Sequence, residues 1–127
     1  MDDRECIIIC NFNDKEKKLI KSYALMVGIN DQIQVCWKNS ENTIKDILKD
    51  NISEDNNSTG VKDRAIIFNN LPSKKVSIFI DNMKKMRIAP TMKAIVTETS
   101  INWTLNYLLK NLIEERKAEK EGKLIKH

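Results

Sequence analysis

Glycine, proline and histidine are scarce in this sequence, and their scarcity excludes several kinds of site. The 127 residues include three glycines, two prolines and one histidine, His127. No glycine-rich loop follows either of the two most apolar blocks, so a nucleotide site that cradles phosphates is not expected. Because the only histidine is the last residue and no Cys-x-x-Cys pair occurs, we expect neither a zinc site nor a histidine-based triad. The sequence therefore predicts no metal and no cofactor.

Long apolar runs are also missing. The longest apolar block, residues 6–10, is far too short to span a membrane. It follows an acidic N-terminal segment, which is the wrong order for a secretory signal. Cys6 and Cys10 on one strand would lie about 13 Å apart, beyond disulfide reach, and three cysteines do not form an even set. We expect free core thiols in a cytoplasmic protein with no membrane partner.

Composition and charge favour one globular domain over residues 1–127. Apolar residues make up 41% of the chain and charged residues 31%, and a chain of this length can bury about two-thirds of its unfolded surface. The charge is uneven, because residues 1–63 carry 9 basic and 12 acidic side chains whereas residues 64–127 carry 13 and 6. The second half is therefore the candidate for contact with an anionic partner.

The apolar blocks of the first half predict a β-α-β-α unit. Residues 6–12 are apolar apart from Asn11 and rich in β-branched isoleucine, which is typical of a strand buried on both faces in a parallel sheet. A helix begins after the cap residue Asn13 and ends at Gly28. Residues 33–37 predict a second strand, and Ser40 is expected to cap a short second helix.

The same order of elements returns after a polar linker. Residues 51–63 lack periodicity and are expected to be an exposed linker. The strand, helix, strand and helix that follow are predicted over residues 64–71, 72–86, 93–97 and 102–115. Beyond Glu115 the apolar stripe fades, so residues 116–127 are expected to be a solvated, charged tail.

The two halves, residues 5–50 and 64–115, can be overlaid. A shift of 59 positions aligns Ile7, Ile8, Asn11 and Ile29 with Ile66, Ile67, Asn70 and Ile88. A shift of 61 positions aligns Val35, Thr43, Leu48, Ile52 and Glu54 with Val96, Thr104, Leu109, Ile113 and Glu115. The overlay favours an internal repeat, and the alternative is the hydrophobic pattern that any two β-α-β-α chains share.

Two short sequences in the second half suggest a family. The fourth predicted strand ends in Thr97-Glu98-Thr99, and Asn102-Trp103-Thr104-Leu105 follows it. On these residues, the last sixty or so positions resemble a family of small uncharacterised domains from clostridia-like, low-GC bacteria. The first half has no equivalent of the Asn-Trp-Thr-Leu segment. The resemblance implies an intracellular bacterial protein and implies no activity.

Polar side chains follow the predicted strands. Since strand-helix-strand connections are right-handed and sequential parallel strands neighbour each other, we expect one four-stranded, mostly parallel α/β sheet flanked by helices. A pseudo-twofold axis between the halves would put strands one and three at the centre, where open α/β sheets bind ligands. The polar residues expected in that crevice are Asn11, Asn13, Lys38, Asn39, Asn69, Asn70, Thr97, Glu98 and Thr99. The alternative is that they are turn formers and helix caps.

A cluster of basic residues is a second candidate surface. The third helix and the strand after it carry Lys74, Lys75, Lys84, Lys85, Arg87 and Lys93. Such a cluster suits a nucleic-acid backbone, and the alternative is a solvated helix face. Trp103 and Tyr107 lie one turn apart on the last helix, where they either contact a partner or pack the helix start against the sheet.

Catalysis by this chain alone is not expected. No pair of carboxylates follows two strands, and Glu98 stands alone among the strand-end residues. We expect a small non-enzymatic binding or regulatory domain that engages a protein or a small ligand through the strand-end crevice or a sheet edge, with a homodimer as one form. The alternatives are nucleic-acid association through the basic helix, and an enzyme that acts only as an oligomer or with a partner's residues.

Overall fold

The chain folds into four strands and four helices over the residues that are described, 3–55, 59–85 and 90–120, in a computed structural model. The elements are β1 (Cys6–Cys10), α1 (Asp14–Met26), β2 (Gln32–Val35), α2 (Ile44–Leu48), β3 (Ala65–Asn69), α3 (Ser73–Lys85), β4 (Met92–Ile95) and α4 (Leu105–Lys120). Short 3-10 turns follow β2 and β4, at Trp37–Asn39 and Ser100–Asn102. None of these described helices is long and apolar enough to cross a membrane. Three residues named above lie outside the described ranges, namely Arg87, Ile88 and His127, and so does residue 86 at the end of the predicted third helix.

The four strands form one mixed sheet in the order β2-β1-β3-β4. β1 is parallel to β2 and β3 is parallel to β4, whereas the central pair, β1 and β3, is antiparallel. The first and third strands lie at the centre as expected, but the prediction of a mostly parallel sheet was wrong. A strand with apolar residues at every position is buried on both faces in either kind of sheet, so this pattern indicates burial and does not fix direction.

The register of β1 and β3 joins the two halves at aligned positions. Ile8 lies opposite Ile67, and these are residues that the 59-position shift superimposes. The amide of Ile7 donates to the carbonyl of Asp31, on the β2 side, at 3.1 Å. Because backbone groups alternate along a strand, the N–H and C=O of Ile8 point at β3 and form a hydrogen-bonded pair with Ile67.

A second antiparallel contact joins the starts of α2 and α4. Thr43 and Thr104, which the 61-position shift superimposes, pair in an isolated bridge. Two reciprocal backbone hydrogen bonds of 2.9 and 2.8 Å flank this bridge. Each threonine hydroxyl also accepts a hydrogen bond from the amide three residues further on and so caps its helix. The cap of α2 is therefore Thr43, and the prediction of Ser40 was wrong.

Apolar side chains are buried on both faces of the sheet. On one face α1 and α3 cover the alternate residues of the central strands, and Phe79 of α3 meets Phe68 edge-on with ring centroids 5.9 Å apart. On the other face α2 and α4 cover buried apolar side chains that come from all four strands. The largest fully buried side chains include Ile7, Ile9 and Ile66 on the first face and Ile8, Ile67, Ile44, Ile47 and Leu105 on the second.

The predicted linker is bound to the fold over much of its length. The carboxylate of Asp55 accepts hydrogen bonds from the Ser40 hydroxyl at 3.1 Å and the Glu41 amide at 2.9 Å. Gly60 is buried where a Cβ would lie 2.4 Å from the carbonyl oxygen of Trp37, so only glycine fits there. At the other end of the second half, α4 continues to Lys120 and takes in residues that were expected to be tail.

Truncation of Ile67 to alanine tests the central pair. Ile67 is fully buried, so the lost burial and the residual cavity should cost about 2–5 kcal/mol in the free energy of unfolding, measured by urea denaturation. Ile8→Ala should fall in the same range, and the double variant should cost less than the sum because the two sites share one cavity. The control is Leu25→Ala on an exposed position of α1, expected within about 0.5 kcal/mol of the wild type. A cost for Ile67→Ala as small as the control's would contradict the burial of Ile67 at the centre of the sheet.

Candidate functional site

The sheet separates the polar residues that were expected to share one crevice. Because β1 and β3 run in opposite directions, their carboxyl ends lie at opposite ends of the sheet. These ends are about 15 Å apart along a strand of this length. One end holds Asn11, Asn13, Lys38 and Asn39, and the other holds Asn69, Asn70, Thr97, Glu98 and Thr99. The described structure therefore brings together two separate groups and no common crevice between β1 and β3.

Asn11 holds the chain at the carboxyl end of β1. Its backbone has a φ of 65°, a left-handed conformation that asparagine tolerates better than most residues. The side-chain amide donates to the carbonyls of Val61 and Asp63 at 3.0 and 2.9 Å, and its oxygen accepts from the amide of Trp37 at 2.8 Å. Asn11 thus ties the segment that leads into β3 to the turn that follows β2.

Asn69 and Asn70 do the corresponding work at the carboxyl end of β3. The Asn69 side chain is fully buried and donates to the carbonyl of Arg4 at 2.7 Å. Asn70 has a φ of 53° and donates to the carbonyl of Asp3 at 2.7 Å. Both residues therefore fix the segment that leads into β1, as Asn11 fixes the segment that leads into β3.

The other strand-end residues make caps, turns or solvent contacts. Asn13 and Glu16 exchange two hydrogen bonds, of 2.8 and 3.0 Å, in a capping box at the start of α1. The hydroxyl of Thr97 accepts from the Ser100 amide at 3.0 Å, and the Ser100 hydroxyl accepts from the Thr97 amide at 2.9 Å. Asn39 closes its own 3-10 turn through the amide of Cys36. Lys38, Glu98 and Thr99 are exposed to solvent, as are Asn13 and Thr97.

Hydrogen bonds or burial within the fold account for the titratable groups whose pKa is shifted. Arg4 donates to the two carboxylate oxygens of Asp31 at 2.6 and 2.9 Å, which lowers the pKa of Asp31 because the hydrogen bonds favour the charged form. Arg4 also donates to the carbonyl of Leu48 at 2.8 Å. Full burial raises the pKa of the Cys10 thiol, so this thiol is neutral and unreactive at neutral pH.

A large groove runs along the outer edge of β4. It has a volume of about 720 Å³, within the range of ligand-binding sites. Lys93, Ala94 and Ile95 of β4 form its floor, and α3 and α4 form its two walls. The principal apolar wall residues are Val76 and Ile80 from α3, Leu108 and Leu112 from α4, and Trp103 just before α4. We call this feature the β4 groove.

Ile95 is the most exposed apolar residue of the sheet. It lies opposite Phe68 on the face covered by α3, and 62% of its surface is exposed. The position aligned with it on β2, by the 61-position shift, is Gln34, which is also exposed. One outer edge therefore carries a polar residue where the other carries an isoleucine, so only the β4 edge is apolar at this position. The sequence did not single out Ile95, because a short apolar stretch does not disclose which strand lies at the edge.

Trp103 belongs to the groove and to the core together. Its ring packs against the buried cluster under α4 and lines the β4 groove. Tyr107 meets it edge-on, with ring centroids 4.8 Å apart, and is half-exposed. Trp103 thus packs the start of α4 against the sheet, one of the two arrangements considered from the sequence, and it also supplies a wall of the groove.

The basic residues of α3 lie on the outer surface of the layer formed by α1 and α3. The Lys75 ammonium contacts the carbonyl of Gly28, at the end of α1, at 3.3 Å, and Arg87 lies outside the described residues. The described lysines of this cluster that are exposed are Lys74, Lys84, Lys85 and Lys93. The same layer exposes three lysines of α1, namely Lys15, Lys18 and Lys21.

Comparison with known proteins finds a family model that matches much of the second half of the chain. Residues 64–118 match the model of a domain of unknown function, DUF3783. The position of this match confirms the resemblance found in the second half of the sequence. The matched segment contains β3, α3, β4 and most of α4, so every residue that lines the β4 groove falls inside it. No curated protein and no solved structure gives a significant match to the chain.

Substitution of Asn11 by alanine tests whether this residue is structural. The change removes three hydrogen bonds, each with a net value of about 1 kcal/mol, and adds strain at a positive φ. We expect the free energy of unfolding to fall by roughly 2–4 kcal/mol in urea denaturation. Asn11→Gly should cost less, because glycine keeps the backbone conformation. An Asn11→Ala variant as stable as the wild type would contradict the structural role.

Proposed function

We propose that this chain is a non-catalytic domain that binds another protein at the β4 groove. The observation that carries the proposal is an apolar groove along a sheet edge, with walls from both helix layers. Burial of an exposed isoleucine or leucine by a partner yields about 1.5–3 kcal/mol per side chain. Ile95 together with the two helix walls is therefore a sufficient anchor for a protein segment.

The engagement of the strand-end polar groups supports a role in binding over one in catalysis. The side chains of Asn11, Asn69 and Asn70 bond to backbone carbonyls, so they hold loops in place. Glu98, after the end of β4, is exposed to solvent and is not among the residues that line the β4 groove. A protein ligand needs neither group.

We also propose that the two halves are copies of one β-α-β-α unit. Three pairs of aligned residues support this: Ile8 with Ile67, Thr43 with Thr104, and Asn11 with Asn70. The first two pairs lie opposite each other, as residues next to a twofold axis do, and the third pair shares an unusual positive φ. In this interpretation the β4 groove arose in one copy, since Gln34 takes the place of Ile95 in the other. The free thiols suit a cytoplasmic protein.

Nucleic-acid binding by the α1–α3 layer is the second candidate function. The observation that favours it is that α1 and α3 together carry eight lysines, Lys15, Lys17, Lys18, Lys21, Lys74, Lys75, Lys84 and Lys85, against three acidic residues, Asp14, Glu16 and Asp81. Because the two helices pack on the same face, their lysines form one basic surface that suits phosphates.

Introduction of a charge at Ile95 tests the proposed protein-binding site. Short random peptides displayed on phage would be selected against the native chain, and the affinity of the selected peptides measured by fluorescence anisotropy. Ile95→Asp should weaken binding at least tenfold, about 1.4 kcal/mol, because a charge replaces the apolar anchor. The matched control is Gln34→Asp on the other edge, expected to leave affinity within twofold. Failure to select any peptide, or equal binding by Ile95→Asp and the wild type, would contradict the proposal.

Charge reversal at four lysines of α3 tests nucleic-acid binding, the second candidate function. The wild type should bind nonspecific duplex DNA at low salt, with an affinity that falls steeply as salt rises, since phosphate contacts release counterions. A variant with four charge-reversing substitutions should abolish that binding in an electrophoretic mobility assay. The four substitutions are Lys74→Glu, Lys75→Glu, Lys84→Glu and Lys85→Glu. Absence of binding by the wild type at low salt would remove nucleic acid as a partner.

A further inference from the structure

We infer that the partner segment adds to the sheet as a fifth strand along β4, with apolar side chains on both of its faces and an acidic side chain beside Lys93. This inference rests on the proposed function of the β4 groove and specifies the conformation and chemistry of its ligand.

The backbone of β4 presents hydrogen-bonding groups to the groove. The amides of Met92 and Val96 donate to the carbonyls of Arg64 and Phe68, on the β3 side, at 3.0 and 2.9 Å. Since N–H and C=O groups alternate in direction along a strand, those of Lys93 and Ile95 point away from β3. They face the open edge of the sheet, where an incoming strand would pair with them.

The walls of the groove determine which side chains such a strand carries. Residues of a strand point alternately to the two faces of the sheet. On one face the new strand would meet Ile80 and Val76 of α3, and on the other it would meet Leu112 of α4 and Trp103 just before that helix. Because both walls are apolar apart from Glu115 of α4, consecutive residues of the ligand would be buried. The fitting segment is therefore apolar at adjacent positions, unlike a surface strand that alternates apolar and polar residues.

The charge of Lys93 specifies one further feature of the ligand. Lys93 is exposed on the α3 face, and its ammonium contacts the carbonyl of Thr91 at 3.3 Å. A carboxylate on the neighbouring strand would lie within reach of this ammonium as a cross-strand pair. If β4 of a second copy of this chain paired along the edge, it would bring another Lys93 and no acidic residue, because β4 itself contains none. The charge thus favours a different protein segment over self-association.

An extended strand also fits the groove better than a helix does. The backbone groups of a helix are bonded within the helix, so a helical ligand would cover Lys93 and Ile95 without pairing their N–H and C=O groups. Polar groups that lose water without gaining a partner oppose binding. A strand satisfies these groups and buries Ile95 at the same time.

A methylation scan of a bound peptide tests the inference. Peptides selected from the random library should contain adjacent apolar residues and an acidic residue. In a series that carries one N-methyl group at a time, affinity should fall at least tenfold at alternate positions, whose amides face β4, and change less than threefold at the positions between them. A uniform effect along the peptide, or a loss that repeats every three to four residues, would overturn strand addition. Binding sensitive to Ile95→Asp but without alternation would leave the proposed function standing.

Charge exchange tests the acidic side chain separately. Lys93→Glu should lower the affinity for the acidic peptide at least tenfold. A peptide with lysine in place of its acidic residue should recover binding to that variant. The control is Lys74→Glu, on an exposed turn of α3 away from the groove walls, which should change affinity less than twofold. Equal effects of the two variants would contradict the pairing with Lys93. Selected peptides that lack an acidic residue would contradict it too, and failure to select any peptide would overturn both the proposed function and this inference.

Discussion

The antiparallel pairing of β1 with β3 determines the arrangement of the rest of the molecule. Five residues of each strand are paired, with Ile8 opposite Ile67 at the middle. The pair joins two parallel ladders, β1 with β2 and β3 with β4, into one sheet. It also places the carboxyl ends of the two central strands at opposite ends of the sheet. Each end of the central pair therefore combines the finish of one strand with the entry to the other, and asparagine side chains bridge that junction at both ends.

Much of the fold could be predicted from hydrophobic patterning, because burial is what such patterns record. The continuous apolar blocks at β1 and β3 predicted central strands, and their order with the helices was correct. Strand direction could not be predicted from the same residues, since Ile7 and Ile8 are buried in a parallel and in an antiparallel sheet alike. The error in direction then placed Asn11 and Asn70 at one predicted crevice, whereas they lie at opposite ends of the central pair.

The candidate site was harder to predict than the fold, for a related physical reason. Asn11, Asn69 and Asn70 have side chains suited to ligands, and the same chemistry suits them to hold backbone carbonyls and left-handed turns. Ile95, which anchors the β4 groove, has no polar chemistry to attract notice. Its significance depends on its exposure at a sheet edge, and edge position follows from strand order, which one sequence does not reveal.

The two edge strands of the sheet, β2 and β4, differ in the side chains that they expose. An open edge invites association with other chains, and charged residues on edge strands oppose it. On β2 the exposed residue Gln34 is polar, whereas on β4 Lys93 stands next to the apolar Ile95. In our account, Lys93 both discourages unselective pairing and selects an acidic ligand. The β4 groove is thus an edge on which association is controlled by charge.

The direction of the central pair is the claim on which this account rests, and nuclear Overhauser spectroscopy measures it directly. In antiparallel strands the Hα atoms of residues that do not exchange hydrogen bonds approach closely. The observed register therefore predicts strong Hα–Hα cross-peaks between Ile7 and Phe68 and between Ile9 and Ile66. Absence of both cross-peaks, with sequential contacts that match a parallel alignment of β1 and β3, would contradict the account.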